Sequence, residues 1–507
     1  MKKIRFSALH LFFFSCVLSF VVYPSYSQQK KLGDFDGQTD VGNPARKGSA
    51  VYNSQTGQYT IEGAGANIWA ERDEFHFVWK RMKGNFILTT RAGFIGKGVE
   101  EHRKMGWMVR SSLDDNSMHV NAVVHGDGLT SLQYRNSTGG ITEEQKSSIV
   151  GADVIQLERK GNHYIMSVAR FGDTFTTEEM DGPALGDEVY DGLFVCSHNK
   201  DVSEKAILRD VRIVVPAPDK LVPYREYLGS NLELLDVKTG NRKIVYYSTH
   251  SLQAPNWMKD GKALIYNSDG LLYRFNLAKR IPVVINTDFA TNNNNDHVIS
   301  FDGKMLAISH GSKTDGNNSI VYTVPITGGK PRRITATGPS YLHGWSPDGK
   351  FLVYVGSRNN DYDIYRASAM GGGEETRLTD AKGLDDGPEY SPDGKFIYFN
   401  SVRTGSMQIW RMNADGSRQE QLTDDDFYNW FPHISPDGQW VVFISFMKNE
   451  VKPDDHPFYK HVYLRLMPAG GGNPRVIAYL YGGQGTINTP SWSPDSKRIA
   501  FVSNTGK

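Results

Sequence analysis

Cysteine is nearly absent: the 507 residues contain only Cys16 and Cys196, so no disulfide framework is available and core burial has to stabilise the fold. Long apolar runs are also missing, apart from Leu9 to Val22. That run follows Lys2, Lys3 and Arg5, precedes the small residues Ser25 and Ser27, and is shorter than the roughly 20 residues of a spanning helix. It reads as a secretory signal peptide over residues 1–27. Cys16 does not fit a lipoprotein signal, because Phe13 stands where such signals prefer Leu and the apolar run continues past it. The mature chain is therefore expected in the periplasm or outside the cell, without a membrane span. Charge of one sign is lacking as well, with 57 Lys plus Arg against 56 Asp plus Glu, which excludes the broad basic field that nucleic acid would require. Long amphipathic helical patterns do not occur, while 51 glycines and 12% aromatic residues favour short strands and turns. A chain of this length exceeds one ordinary core, so at least two domains are expected.

From Tyr59 to Val215, β-rich runs such as Glu74 to Met82, Phe86 to Thr90, His119 to Val124 and Leu193 to Cys196 alternate with Gly, Asn and Asp turns. This spacing predicts a jelly-roll or related sandwich over residues 32–216. Pro216-Ala217-Pro218 then supplies a stiff boundary.

The second half repeats. Ser346-Pro347-Asp348-Gly349-Lys350 recurs at Ser391, Ser435 and, with Ser for Gly, at Ser493, and degenerate copies surround Asp260 and Asp302. The aspartates Asp260, Asp302, Asp348, Asp393, Asp437 and Asp495 stand 42, 46, 45, 44 and 58 residues apart, the period of propeller blades. Each position of the turn has a cause: Pro presets φ, Asp accepts from nearby backbone amides, and Gly suits the end of the turn. Apolar runs follow, as in Phe396-Ile397-Tyr398-Phe399, and two further strands complete a blade. The last repeat stops after Ile499 to Val502, so its outer strands are expected from Leu232 to Asp236 and Lys243 to Tyr246, closing a six-bladed ring over 221–507.

These repeats resemble the TolB-type propeller family. The resemblance implies the fold more than any one activity, since such propellers serve as binding platforms, peptidase gates and some carbohydrate lyases. Leu157 to Tyr164 with Phe171 to Phe175 resembles, more weakly, the paired strands of concanavalin-like and laminin-G-type sandwiches.

In a propeller, residues just before each inner turn approach the central channel. That register selects His297, Tyr341, His343, Asp386, Glu389, Trp430, His433 and Asn488, together with Gln253, Asp296 and Asn429. The fifth blade carries an insertion from Met447 to His461 containing His456, and Gly482 to Asn488 contributes Gln484. Acceptors, imidazoles and rings in this mixture suit sugar hydroxyls. Each residue taken singly also reads as a satisfied polar group at a blade end. The expected function is thus an exported binding protein for a carbohydrate or an envelope protein. The alternative is a metal-assisted lyase or hydrolase, with a divalent metal held by His297, His343, His433 and His456. Oligogalacturonate lyases, which share this propeller type, use histidines and a glutamine around a metal, and His456 and Gln484 invite that comparison. No Gly-x-Ser-x-Gly elbow is present, and Cys196 reads as inert core. In the sandwich, Trp69, His76, Trp79, Trp107, His119 and His125 read either as a sugar-binding face or as ordinary core.

Overall fold

The structure is a computed structural model that describes residues 32–506 apart from Pro223 and Asn359. The expected signal peptide and Cys16 lie outside these residues. Two architectures share the chain, and both are built of strands; a single 3-10 turn at Lys313–Asp315 interrupts them among the described residues. None of the described helices is long and apolar enough to cross a membrane.

The first part is a sandwich of two antiparallel seven-stranded sheets. One sheet centres on Glu188–Cys196 and Lys104–Arg110, the other on Val154–Lys160, Phe86–Phe94 and the long strand Asn199–Val214. Alternation along each strand sends one row inward, so that Trp107, Val109 and Leu132 of one sheet meet Tyr59, Leu88, Leu157 and Tyr164 of the other in a dry core.

The second part is a six-bladed propeller. Five four-stranded blades run in chain order, and each repeated turn joins an inner strand to its neighbour, as between Ser340–Trp345 and Phe351–Arg358. In that turn Ser346 Oγ donates to Asp348 Oδ1 at 2.6 Å and accepts from the Phe351 amide at 2.9 Å, while Asp348 Oδ1 accepts from the Lys350 amide at 3.1 Å. Gly349 sits at φ +71°, where glycine alone is unstrained; Ser496 holds the same left-handed position in the last copy at φ +60°.

The sixth blade is closed by both ends of the region. Gly229–Asp236 pairs with Arg498–Thr505 from Gly229↔Thr505 to Asp236↔Arg498, and Arg242–Ser248 lies outside it. The closure expected from the truncated last repeat is therefore present. Its seam is pinned by Glu233, a fully buried carboxylate that accepts from Arg242, from Ser503 Oγ at 2.6 Å and from Arg212 of the sandwich at 2.6 Å.

Blade 5 docks on the sandwich. The Phe175 amide donates to Tyr463 Oη, Tyr479 Oη donates to the Asp173 carbonyl, and the Ala217 amide donates to Tyr481 Oη. Beside these rings lies a cleft of about 1370 Å³ that both parts line. His461 crosses one side of it, 2.8 Å from Glu450 of the insertion and 3.3 Å from Glu158 of the sandwich.

Candidate functional site at the propeller mouth

The inner strands of the propeller are not regular. Register shifts interrupt them between Gln253 and Asn256, Asp386 and Glu389, and Trp430 and His433. Each interruption carries a left-handed residue before proline: Ala254 at φ +54°, Gly387 at +63° and Phe431 at +55°. A bulge of this kind re-aims the side chains on either side of it. Gln253 and Asp386, before their bulges, line a cavity of about 970 Å³, whereas Glu389 and His433, after theirs, do not.

The cavity is the mouth of the channel. Its wall combines Gln253, Asn292 to Asp296, Tyr341, His343, Asp386, Phe431, Gln484 and Asn488 from successive blades. Over it stand Asp454, His456 and Phe458 of the insertion and Tyr224 and Tyr227 of the interdomain segment. These two covers hold each other: Tyr224 Oη donates to the His456 carbonyl at 2.6 Å, and Phe458 packs edge-on against both tyrosines. Phe458 also lines the interdomain cleft.

Asp386 is the electrostatic centre. Its buried carboxylate meets His343 Nε2 at 3.1 Å and His456 Nε2 at 2.9 Å. Although burial alone would raise its pKa, the two imidazoles hold Asp386 far below the usual carboxylate range. His343 is shifted upward: burial opposes its charge, but Asp296 and Asp386 outweigh that. Asp296 keeps only the Asn294 side chain as a close partner, and burial pushes it up to about 6. Five buried polar atoms of lining residues, Gln484 Oε1, Asn488 Nδ2, Asn293 Oδ1, Ser319 Oγ and His343 Nδ1, have no hydrogen-bond partner in the protein. Such atoms cost free energy unless water or a ligand satisfies them.

Of the residues selected from the sequence, Tyr341, His343, Asp386, His456, Gln484 and Asn488 line this cavity, with Gln253 and Asp296. His297, Glu389, Trp430 and His433 lie behind it. His297 is buried against the Ile265 carbonyl, and desolvation lowers it to about 4. His433 bridges Glu389 Oε2, at 2.5 Å, and the Ile487 carbonyl. Trp430 is buried with its ring 4.5 Å from that of His456, and Asn429 is taken up by Gln408, Thr423 and Ser445. The four channel histidines consequently do not gather around a common point. Gly483 and Gly485 serve close packing, since a Cβ on Gly483 would lie 2.3 Å from the Pro457 carbonyl oxygen and one on Gly485 2.8 Å from Gln253.

Sequence reasoning missed the asparagine run 292–295, Phe431 and the covering Tyr224 and Tyr227. A signal existed for the bulges: Pro255, Pro388, Pro432 and Pro490 each stand five residues before the turn aspartates Asp260, Asp393, Asp437 and Asp495, where His297 and His343 stand in the other two blades. The sandwich set forms no open aromatic face. Trp107 is in the core, His119 is buried beside the Asp73–Arg135 ion pair, and His76 bonds Asp40 at 2.7 Å; Trp69 alone of the tryptophans is well exposed. Cys196 is buried, and desolvation pushes its thiol up to about 11.

Comparison with known proteins agrees with this architecture. The model of the TolB β-propeller domain matches residues 343–457. An uncharacterized protein of Agrobacterium fabrum is 48% identical over 276 residues, which cover 54% of this chain and 92% of the relative. A solved Agrobacterium tumefaciens structure described as TolB is 47% identical and is covered over its whole length, with 56% of this chain aligned at a TM-score of 0.53. TolB of Acinetobacter baumannii is 20% identical over 55% of this chain and 65% of its own, with a TM-score of 0.39. The chain belongs to the TolB-like β-propeller family. The 276 residues aligned with the Agrobacterium fabrum relative are about the length of the propeller.

Proposed function

We propose that the protein is an exported envelope binding protein that holds an oligosaccharide in the mouth of its propeller. The observation that carries this reading is the wall itself: partnerless amide atoms of Gln484, Asn488 and Asn293 beside Tyr341, Tyr362 and Phe431 in a cavity of about 970 Å³. Amides in both orientations satisfy sugar hydroxyls, and flat rings suit the apolar faces of pyranoses. Screening on a glycan array, followed by calorimetry, tests it. Gln484→Ala and Tyr341→Ala should each lose about 1 to 3 kcal/mol of binding, while Trp69→Ala on the sandwich should lose nothing. Full affinity in the channel variants with loss in Trp69→Ala would move the function to the sandwich. Capture of an envelope protein that no glycan displaces would replace the sugar with a protein partner.

A second reading is favoured by two buried carboxylates of the wall that diverge, Asp296 pushed up to about 6 by burial and Asp386 held far below the usual carboxylate range by His343 and His456. Paired groups pushed apart in this way suit general acid and base work on a carbohydrate. Mass spectrometry of the bound sugar after incubation separates the two: intact ligand supports binding, and an unsaturated, ultraviolet-absorbing fragment supports a lyase.

A further inference from the structure

At one rim of the sandwich, Lys104–Arg110 and His119–His125 lie side by side with Lys104 opposite His125. The loops at this end bring His102, His125 and Asp127 together, and one donor atom from each lies within 4.8 Å of the others. A third imidazole stands beside them, the His198 ring being 5.5 Å from that of His102. This is the only such group of potential metal ligands among the described residues. None of its members belongs to the propeller mouth.

The local bonding leaves the donors open. Asp127 Oδ1 accepts the Leu129 amide at 2.9 Å, which orients the carboxylate and leaves Oδ2, 3.8 Å from His102 Nδ1. That spacing is too long for a hydrogen bond. It approaches the roughly 3.3 Å that separates two donors sharing a tetrahedral ion with bonds of about 2.0 to 2.1 Å. His125 is buried; the Gln133 amide faces its Nε2 at 3.4 Å, and its Nδ1 has no partner. Nδ1 of His198 is likewise buried without a partner, on a residue held at φ +57°, a costly conformation for a side chain that gains no hydrogen bond there. Of the neighbouring cations, Lys104 is drawn aside by the Asn67 side chain at 2.5 Å and the Ile68 carbonyl at 3.1 Å, and Arg103 is paired with Glu204 at 2.7 Å.

We propose that His102, His125 and Asp127 bind one first-row transition ion, with Zn²⁺ the best match, and that His198 stands where it supplies a fourth ligand. Imidazole with one carboxylate selects such an ion over Ca²⁺ or Mg²⁺, which take all-oxygen shells. The ion ties the loop carrying His102 to the 126–129 turn and to the 197–199 turn. Because it binds only the folded sandwich, it also raises that part's stability by mass action.

The test uses the mature full-length protein, stripped with a chelator and titrated with Zn²⁺ by calorimetry and with Co²⁺ by visible absorption. One equivalent of Zn²⁺ should bind with micromolar or tighter affinity, and Co²⁺ should give the intense visible bands of a tetrahedral site. His102→Ala and Asp127→Asn change solvent-facing groups, and the latter keeps the acceptor for the Leu129 amide, so both should fold. Each should weaken Zn²⁺ binding at least as much as the roughly tenfold cost of losing an outer partner of a metal ligand. His163→Ala, at an exposed histidine beside Asp181, serves as the surface control. Absence of micromolar Zn²⁺ binding, or binding as strong in His102→Ala and Asp127→Asn as in His163→Ala, would overturn the site. Neither outcome bears on the sugar reading of the propeller.

Discussion

At the scale of single residues, Asp386 shows how one buried charge decides the local chemistry. It is almost fully enclosed and bonded to His343 and His456, so removing its charge takes from the buried His343 one of the two carboxylates, Asp296 and Asp386, that raise it. Asp386→Asn should therefore lower unfolding free energy by about 3 kcal/mol, read from urea melts at neutral pH. His456 keeps 30% of its side chain exposed, and His456→Gln should cost about 1 kcal/mol or less. Both shifts also set a pH direction. The lowered Asp386 adds stability that is present above the ordinary carboxylate range and lost as pH falls; the raised His343 adds stability that is present below its ordinary value and lost as pH rises through its folded value. Equal melts for Asp386→Asn and the parent would show that the carboxylate is dispensable to stability.

At the scale of elements, closure of the ring rests on two strands that come before the first complete blade. The register between Gly229–Asp236 and Arg498–Thr505 supplies backbone hydrogen bonds, and Glu233 joins that seam to Arg242 and to Arg212 of the sandwich. Glu233→Ala would strand two guanidinium groups, and a loss of about 3 to 5 kcal/mol is expected in denaturant melts. A propeller beginning at Ser251 should melt earlier and less cooperatively than one beginning at Leu221, because an unpaired strand edge is left at the seam. Identical melting of the two would rule out closure by these strands. The repeats made this arrangement readable in the sequence, since a blade that stops after two strands needs two more from elsewhere. The bulges were harder to read. Their prolines recur at a fixed distance from the turn, but whether a residue beside a bulge faces the cavity or the blade behind it depends on φ values such as those of Gly387 and Phe431.

At the scale of the whole molecule, the insertion in blade 5 serves two places at once. His456 and Phe458 cover the channel mouth, while His461 bridges Glu450 and the sandwich residue Glu158. The two glutamates outweigh burial and raise His461 to about 9. Its contribution to docking is therefore complete below the ordinary histidine value of about 6.5 and is lost as pH rises through about 9. Burial holds the interface tyrosines Tyr463 and Tyr481 at about 12, outside this window. Calorimetric scans should show one cooperative transition at pH 6.5 dividing into two by pH 10, and His461→Gln should remove the dependence on pH. Division at the same pH in His461→Gln would assign the effect to other groups.

The sequence by itself determined the all-β class, the six-fold repeat, the turn chemistry and the ring closure, because each depends on interactions between residues near in the chain or on a count of strands. It also reached part of the channel wall, through a register that all six blades share. Tertiary structure alone decided the rest. Asp386 meets imidazoles from blade 3 and from an insertion 70 residues away, Tyr224 reaches the loop that bears His456, and Glu158 reaches His461 across the domain boundary. No local pattern encodes these meetings: each follows from the angle at which one blade or sheet presents a side chain to another, and burial then sets its charge.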